Sequence, residues 1–367
     1  MNFSLTKNTS NKTSQTFQSS LKNKSDEKLA CLMFDKKKIL ITGGTGSLGK
    51  SLTKRLLETN ADTIRILSRN ESKQVEMQRK FDDSRLRFLI GDIRDPDRVS
   101  RAVEDVDIVF HAAALKHVPL IEYNPNEAIL TNIIGTQNVV MECLKHNVDK
   151  VIGVGTDKAV SPLNTYGATK LLMEKIIITA VRQFSNTKYN TKFSIARYGN
   201  VAASSGSVIP IFINQIRSKG KITITNPQMT RFSITMKEAV NFVISSADIS
   251  VGGEVFVPKI KAYNIMDLKE ALEELINKCD HEIINLRPGE KMHETLLNKY
   301  EIPYTKDLGD RFVLLDPQTF AKDELVSKET IKKYKDVKST DLQNEYSSDE
   351  VELMTKYELK SMLQDII

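Results

Sequence analysis

Only three cysteines occur in the 367-residue chain, Cys31, Cys143 and Cys279. They are odd in number and far apart. No CxxC is present and no Cys/His cluster has ligand spacing, so neither a disulfide framework nor a metal site is expected, and a reducing compartment such as the cytoplasm fits. No apolar run approaches the roughly 20 residues a membrane helix needs. A basic stripe interleaved with aromatics is also missing. The formal net charge is +6, but acids and bases mix along most of the chain, which argues against nucleic acid. The excess charge favours an anionic small molecule instead. What is present, 40% apolar and 27% charged residues, is an ordinary composition for one large composite domain or two.

Acids are absent before Asp26, where the chain carries four lysines among Ser, Thr, Asn and Gln. Such a stretch has no apolar face to bury, so residues 1–35 read as a disordered N-terminal extension. It also lacks the arginines of a transit peptide. From Lys36 the pattern changes. "KKILIT", 63–67, 86–90, 106–114, 150–155 and 192–199 read as strands, and 125–146 as a helix between two of them. Strand and helix alternate, which predicts βαβ units: an α/β fold with a Rossmann-like, doubly wound parallel sheet. After about residue 200 the alternation becomes irregular, with helices expected at 236–248 and 267–278 and a strand at 254–259. This suits a smaller C-terminal substrate-binding subdomain.

"ITGGTGSLGK" follows the first strand and opens a helix. Gly43 permits the tight turn, Gly46 lets the backbone approach a pyrophosphate, and Gly49 lets helix and strand pack closely. The helix N-terminus then faces the phosphates. Dinucleotide binding by Gly43, Thr45, Gly46, Ser47, Leu48 and Gly49 is the reading, against a merely tight turn. The second strand lacks the acid that usually meets the ribose 2′-OH of NAD. It ends instead in Ser68 and Arg69, with Lys73 a turn further on. A hydroxyl and two cations suit a 2′-phosphate, so NADP is expected. Asp92 and Ile93, after the third strand, border the adenine, or Asp92 caps the next helix. Ala112, Ala113 and Lys116, after the fourth strand, fall on the cofactor side; His117 reads equally as a core residue.

"GTDKAVSPLNTYGATK" runs from Gly155 to Lys170. Tyr166 and Lys170 are i and i+4 on a predicted helix and share a face. An ammonium near a phenol favours the phenolate. With the glycine turn upstream, this spacing resembles the short-chain dehydrogenase/reductases. The resemblance makes Tyr166 the base at a substrate hydroxyl and Lys170 the residue that lowers its pKa and holds the nicotinamide ribose. Asp157 and Lys158 close the fifth strand at the carboxyl edge of the sheet, where such folds bind ligands. On their own they read equally as a surface ion pair. Together with "HAAALKHVP", "ARYGNV", "MTRFSIT" and "RPGEKMHETL", they resemble the UDP-N-acetylglucosamine 4,6-dehydratases, extended members of that superfamily, over about residues 36–315. A weaker echo lies in "YSSDEVELMTKYELKSML". The resemblance implies that Lys158 removes the C5 proton, Asp157 protonates the departing 6-hydroxyl and Thr156 meets the oxygen on C4, with tightly bound NADP recycled. Tyr166 and the lack of membrane helices place the chain with the soluble, inverting branch.

The same resemblance assigns Arg231, Arg287, Asn200, Lys116 and Glu290 to the UDP-N-acetylhexosamine. Arginine forks match a diphosphate; Glu290 and Lys291 could instead pair only with each other. Two departures stand out. Relatives read "GNVxGSRGSV" where this chain has Ala203 and Ser205, so a cation is missing near the substrate, a change that would bear on sugar preference or affinity. Gly155 stands where serine is common, which would loosen the strand end. The domain reading is thus 36–199 for NADP binding, 200–330 for substrate binding interleaved with the last Rossmann elements, and 331–367 for a polar tail with a C-terminal helix. A homo-oligomer, dimer or hexamer, is implied, with a helical face near 125–146 and 162–184. Two other readings stay open: an NAD(P)-dependent sugar-nucleotide epimerase or reductase, and a non-catalytic NADP-binding regulatory protein.

Overall fold

Lys38–Thr42 (β1) is an apolar run buried along nearly its whole length, as a central parallel strand must be. The computed structural model describes residues 32–184, 189–202, 204, 206–317 and 328–367. The extension read over 1–35 lies outside the described residues up to Cys31, as do Ala203 and Ser205. Parallel strands β2 (Thr63–Ser68), β3 (Leu86–Ile90), β4 (Ile108–His111), β5 (Lys150–Val154) and β6 (Lys192–Ala196) follow β1. β7 (Glu254–Pro258) joins β6 in parallel. β8 (Thr305–Asp307) and β9 (Arg311–Leu315) complete the edge, β9 antiparallel to both β7 and β8. The sheet has nine strands in the order β8-β9-β7-β6-β5-β4-β1-β2-β3. Chain direction across the sheet reverses between β1 and β4, the switch point where open α/β sheets take ligands.

Helices cover both faces. Val99 and Ala102 of α3 (Pro96–Val103), Val139 of α4 (Gly135–Lys145) and Met173 and Ile177 of α5 (Thr165–Phe184) pack on Leu40, Val109 and Val151. On the other face Leu52 and Leu56 of α1 (Ser47–Leu57), Met77 of α2 (Glu71–Phe81) and Val240 and Val243 of α7 (Met236–Ile249) pack on Ile39, Ile41 and Phe110. Phe34 is fully buried and meets Phe110 with ring centroids 6.2 Å apart, so the packed body begins ahead of Lys36.

The structure alters several expectations. The helix over 125–146 is interrupted: Pro125–Ala128 leads into a π-helical stretch, Ile129–Ile134, before α4. Asn132 within it accepts from the Leu115 N–H (2.8 Å) and donates to the Leu115 carbonyl (3.0 Å), which ties the widened turn to the segment after β4. Asp92 does not cap α3. Pro96 opens that helix, so the cap falls to Asp95, whose side chain accepts from Arg98 N–H. Residues 331–367 are more than a polar tail. Tyr334 and Tyr346 are buried, and Leu359 and Leu363 of α9 (Lys356–Gln364) share a core with α6 (Val208–Lys219) and α8 (Ile265–Leu275). These apolar residues stand widely spaced among polar ones, which hides them from a pattern reading.

Candidate active site

The carboxyl ends of β1, β2, β4 and β5 open onto one cavity of about 1200 Å³, more than one drug-sized ligand requires. Every cofactor-side residue chosen from the sequence, Gly43 through Lys116, lines it. So do Thr156, Lys158, Tyr166 and Lys170, and the substrate-side Asn200, Arg231, Arg287 and Glu290. Asp157 is the exception: it is fully buried against its neighbours rather than on the wall.

The glycine turn fits a dinucleotide. Gly43 has φ +67°, and a Cβ there would stand 2.8 Å from the Ala113 backbone. A Cβ on Gly49 would stand 2.4 Å from the Gly44 carbonyl, so α1 can close on the turn only without one. Gly46 is the N-cap of α1 and offers no side-chain cap, and no acid lies in the first turn. The positive end of α1 is therefore left for an anion. Buried polar atoms without partners also line this cavity: Thr131 Oγ1, Ser207 Oγ and Glu294 Oε2 belong to wall residues, and Asp157, whose Oδ2 is another, lies between the wall residues Thr156 and Lys158. Such groups call for a ligand or water. At the cavity end of β2, Ser68 Oγ accepts from Gln74 Nε2 at 3.0 Å. Asp92 is gripped by Arg94 (2.6 Å) and stands 3.7 Å from Arg69.

α5 begins in a loop tied to the C-terminal part. Asn164 Oδ1 accepts from the Gly167 N–H at 2.8 Å and so caps the helix, while its Nδ2 donates to the Gly289 carbonyl at 2.9 Å. One turn in, Tyr166 and Lys170 are both buried. Burial pushes the Tyr166 phenol up to about 12, with the Lys158 ammonium pulling against it. Lys170 donates to the Val154 carbonyl at 2.7 Å. Burial lowers its ammonium to about 8, with Glu174 pulling the other way.

Beyond β5, Thr156 caps a short 3₁₀ turn, Asp157–Ala159. Asp157 Oδ1 accepts from the Thr156 hydroxyl (2.9 Å) and from Lys158 Nζ (3.1 Å). Lys158 Nζ also donates to Asn200 Oδ1 (2.9 Å) and lies 3.3 Å from Glu294 Oε1. Burial raises the Asp157 carboxyl; Lys158 lowers it and Glu294 raises it again, for a net upward shift. Burial would lower the Lys158 ammonium, but Asp157 and then Glu294 outweigh it and hold it above the usual lysine range. This is no surface ion pair. A carboxyl that stays protonated to higher pH than usual is better suited to donate a proton.

The sugar-side cations differ in how they are engaged. Arg231 is buried and spends its fork on main chain, on the carbonyls of Thr230 (2.7 Å), Met292 (2.9 Å) and Lys291 (3.0 Å). Arg287 is exposed at the cavity rim. Glu290 and Lys291 do not pair with each other: Lys291 Nζ donates to the Val160 carbonyl (2.5 Å), and Glu290 lies 3.6 Å from Arg231. Gly155 does not loosen the strand end. Its N–H donates to the Ala196 carbonyl at 2.8 Å. The space a side chain would take is filled by Glu174, which is bound to the buried Arg197 at 2.7 Å. Arg197 also meets Glu301 at 2.9 Å. The sequence reading missed Glu294 and this triad. The only signal for Glu294 was its place in "RPGEKMHETL".

A glycine-turn Rossmann sheet with Tyr, Lys and Asp gathered at its carboxyl edge defines an enzyme of the short-chain dehydrogenase/reductase class, one that works through a nicotinamide cofactor. The profile of the family described as Polysaccharide biosynthesis protein matches residues 39–315, and the chain belongs to that family. An inverting UDP-N-acetylglucosamine 4,6-dehydratase of Campylobacter jejuni is 46% identical over 77% of this chain and 84% of its own. A UDP-glucose 4-epimerase of Rickettsia bellii is 44% identical over 76% of this chain and 83% of its own. The X-ray structure of Pen from Bacillus thuringiensis, 39% identical, superposes with a TM-score of 0.82 over 91% of this chain and 98% of that one.

Proposed function

We propose that the chain is a UDP-N-acetylglucosamine 4,6-dehydratase that inverts C5 and forms UDP-2-acetamido-2,6-dideoxy-β-L-arabino-hexos-4-ulose, with NADP as recycled cofactor. The observation that carries this reading is the Asp157–Lys158 pair next to Tyr166, its carboxyl buried and its ammonium half-buried on the cavity wall. Internal dehydration needs three separate proton handlers, and a 4-epimerase has no use for an acid at a departing hydroxyl. A bound nicotinamide supplies the chemistry of taking hydride from C4 and returning it to C6. Tyr166 takes the proton of the 4-hydroxyl, and Thr156 orients that oxygen. The resulting ketone acidifies C5–H, and Lys158 is the amine placed to take that proton, which it can do only after losing its own, since its carboxylate neighbours hold it as the ammonium. Asp157 delivers a proton to the 6-hydroxyl as the C6–O bond breaks, and water leaves. A proton returned to C5 on the opposite face gives the inverted product. Each positioned acid or base contributes about 10²–10⁴-fold.

Ser68, Arg69 and Lys73 on the cavity wall support NADP over NAD. Arg287 and Lys116 are the cations offered to the UDP diphosphate, with Asn200, Arg231 and Glu290 shaping the sugar side. Exposed Leu120, Leu130, Ile134 and Leu172 on the helices between β4 and β6 support a homo-oligomer, dimer or hexamer. Among the described residues no helix is long and apolar enough to cross a membrane. Cys143 and Cys279 are free and buried, which supports a cytoplasmic location.

The similarity to a UDP-glucose 4-epimerase keeps a second reading, and one experiment separates the two. The protein is incubated with UDP-N-acetylglucosamine in D2O and the product examined by NMR. A 4-keto-6-deoxy sugar with deuterium at C5, its ring couplings showing inversion, is the expected result. A C4 epimer with C6 intact would overturn the dehydratase.

A further inference from the structure

Glu294 is held with unusual care for a residue outside the expected acid–base set. Its N–H donates to Ser348 Oγ at 2.9 Å, and its carbonyl accepts from the Ser348 N–H at 2.8 Å. Ser348 Oγ lies 2.7 Å from Thr230 Oγ1, which in turn lies 2.8 Å from His293 Nδ1. The "YSSDE" stretch near the end of the chain thus fixes the backbone that aims this carboxylate. Oε1 points at Lys158 Nζ (3.3 Å) and lies 3.8 Å from Arg231 Nε, while Oε2 is buried with no partner. The side chains of Asp157 and Glu294 are only 1% and 5% exposed.

Two buried carboxyls therefore share one ammonium. Both ionised, they would be like charges out of water about one ammonium, and a proton on either relieves that repulsion. The two are not equivalent. Glu294 has Arg231 beside it as well as Lys158; Asp157 has an ion pair with Lys158 only, and Lys291 acts on both carboxyls. On Asp157, Oδ1 already accepts two hydrogen bonds and Oδ2 accepts none. The other titratable groups that face the cluster are Tyr166, Tyr263, Glu290 and Lys116.

We propose that Glu294 is the positioning residue of the acid: its carboxylate, facing Lys158 with the Arg231 charge beside it, stays ionised and so confines the shared proton to Asp157 Oδ2. Asp157 is loaded before substrate arrives, and Lys158 is kept aimed between the two. Burial pushes Glu294 up, but Lys158, Arg231 and Lys291 outweigh it and hold it low, in keeping with this division. The role of Asp157 as acid rests on the dehydratase reading; the placement of the proton does not.

The test is carboxyl ¹³C NMR of the full chain, with the Asp157 signal assigned by its loss in Asp157→Asn. In the wild type Asp157 should titrate above the ordinary carboxylate range. Glu294→Gln, nearly isosteric, should move that titration down by about one pH unit or more, since a neighbouring like charge is gone. Glu294→Asp, which keeps the charge, should restore most of it and serves if the Gln variant does not fold. An Asp157 titration unchanged in Glu294→Gln would overturn the proposal. Turnover of UDP-N-acetylglucosamine is the second arm. Because Asp157 must be protonated to act, the alkaline limb of kcat should move to lower pH in Glu294→Gln, with kcat down about 10–100-fold and KM within about threefold. A lower kcat with an unmoved limb and a lower Tm would assign Glu294 a purely structural role and also overturn it. Absence of wild-type turnover would defeat the dehydratase reading, and the titration would still judge Glu294.

Discussion

Gly155 faces Glu174 so closely that a Cβ at position 155 would stand 2.5 Å from Glu174 Oε1. The carboxylate cannot retreat, because Arg197 holds it at 2.7 Å and Arg197 is itself anchored to Glu301 and to the Leu296 carbonyl. The small residue at the end of β5 and the buried ion triad behind α5 thus occupy one volume between them.

Gly155→Ser should therefore destabilise the protein, by about 1–3 kcal/mol as an overpacked site. Chemical denaturation of the two proteins measures it. The expected result is a lower midpoint with the slope unchanged. A midpoint equal to wild type would show that the triad yields without cost.

Asp157→Asn should separate the two half-reactions. The amide cannot donate the proton the 6-hydroxyl needs, so product formation should fall about 10²–10⁴-fold. Oxidation at C4 requires only Tyr166 and the cofactor, so reduced-cofactor absorbance should still rise on adding substrate. Full activity in this variant would favour the epimerase.

Arg69 stands at the cavity end of β2, 3.7 Å from Asp92. If it meets a 2′-phosphate, Arg69→Ala should weaken NADP binding by about 1.5–3 kcal/mol, the worth of a charged hydrogen bond, and leave NAD binding nearly unchanged. Calorimetric titration of each cofactor checks both halves. Equal losses for the two would remove the basis for preferring NADP.

His111 closes β4 between Thr42 Oγ1 (2.8 Å) and Thr136 Oγ1 (2.9 Å), fully enclosed. Burial depresses its imidazolium to about 3, with Lys170 adding to the effect. A folded-state value below the unfolded one means the unfolded chain binds more protons between about 3 and 6.5. Stability contributed by neutral His111 is thus present above pH 6.5 and is lost as pH falls toward 3. His111→Asn should flatten that part of the profile, and Tm measured at pH 7 and pH 5 for both proteins should show a smaller drop in the variant.

The Rossmann half was legible because its signals are local. Each of the first six strands is an apolar run bounded by turn residues, and the glycine spacing names its own geometry. The YxxxK pair needed only helical periodicity. What escaped is what depends on contacts distant in sequence. β9 runs antiparallel at the sheet edge and looks like any short apolar run. Arg197–Glu174–Glu301 joins three segments, none of which marks its charged residue as buried. Glu294 lies 136 positions from Lys158, and only the folded chain puts them 3.3 Å apart. Asp92 was misread as a possible cap because Asp95, three residues on, competes for the same helix and Pro96 decides between them.

The anchoring of Glu294 by Ser348 has a consequence for biosynthesis. The glycine turn, Tyr166 and the Asp157–Lys158 pair all leave the ribosome early, within the first half of the chain. The strand Thr295–Leu297 finds its partner only when Tyr346–Ser347 follows, and Ser348 comes with it. A nascent chain thus has every piece of the cofactor turn long before the second carboxylate is locked in place, and its proton-handling cluster is completed only once the segment around Ser348 has emerged.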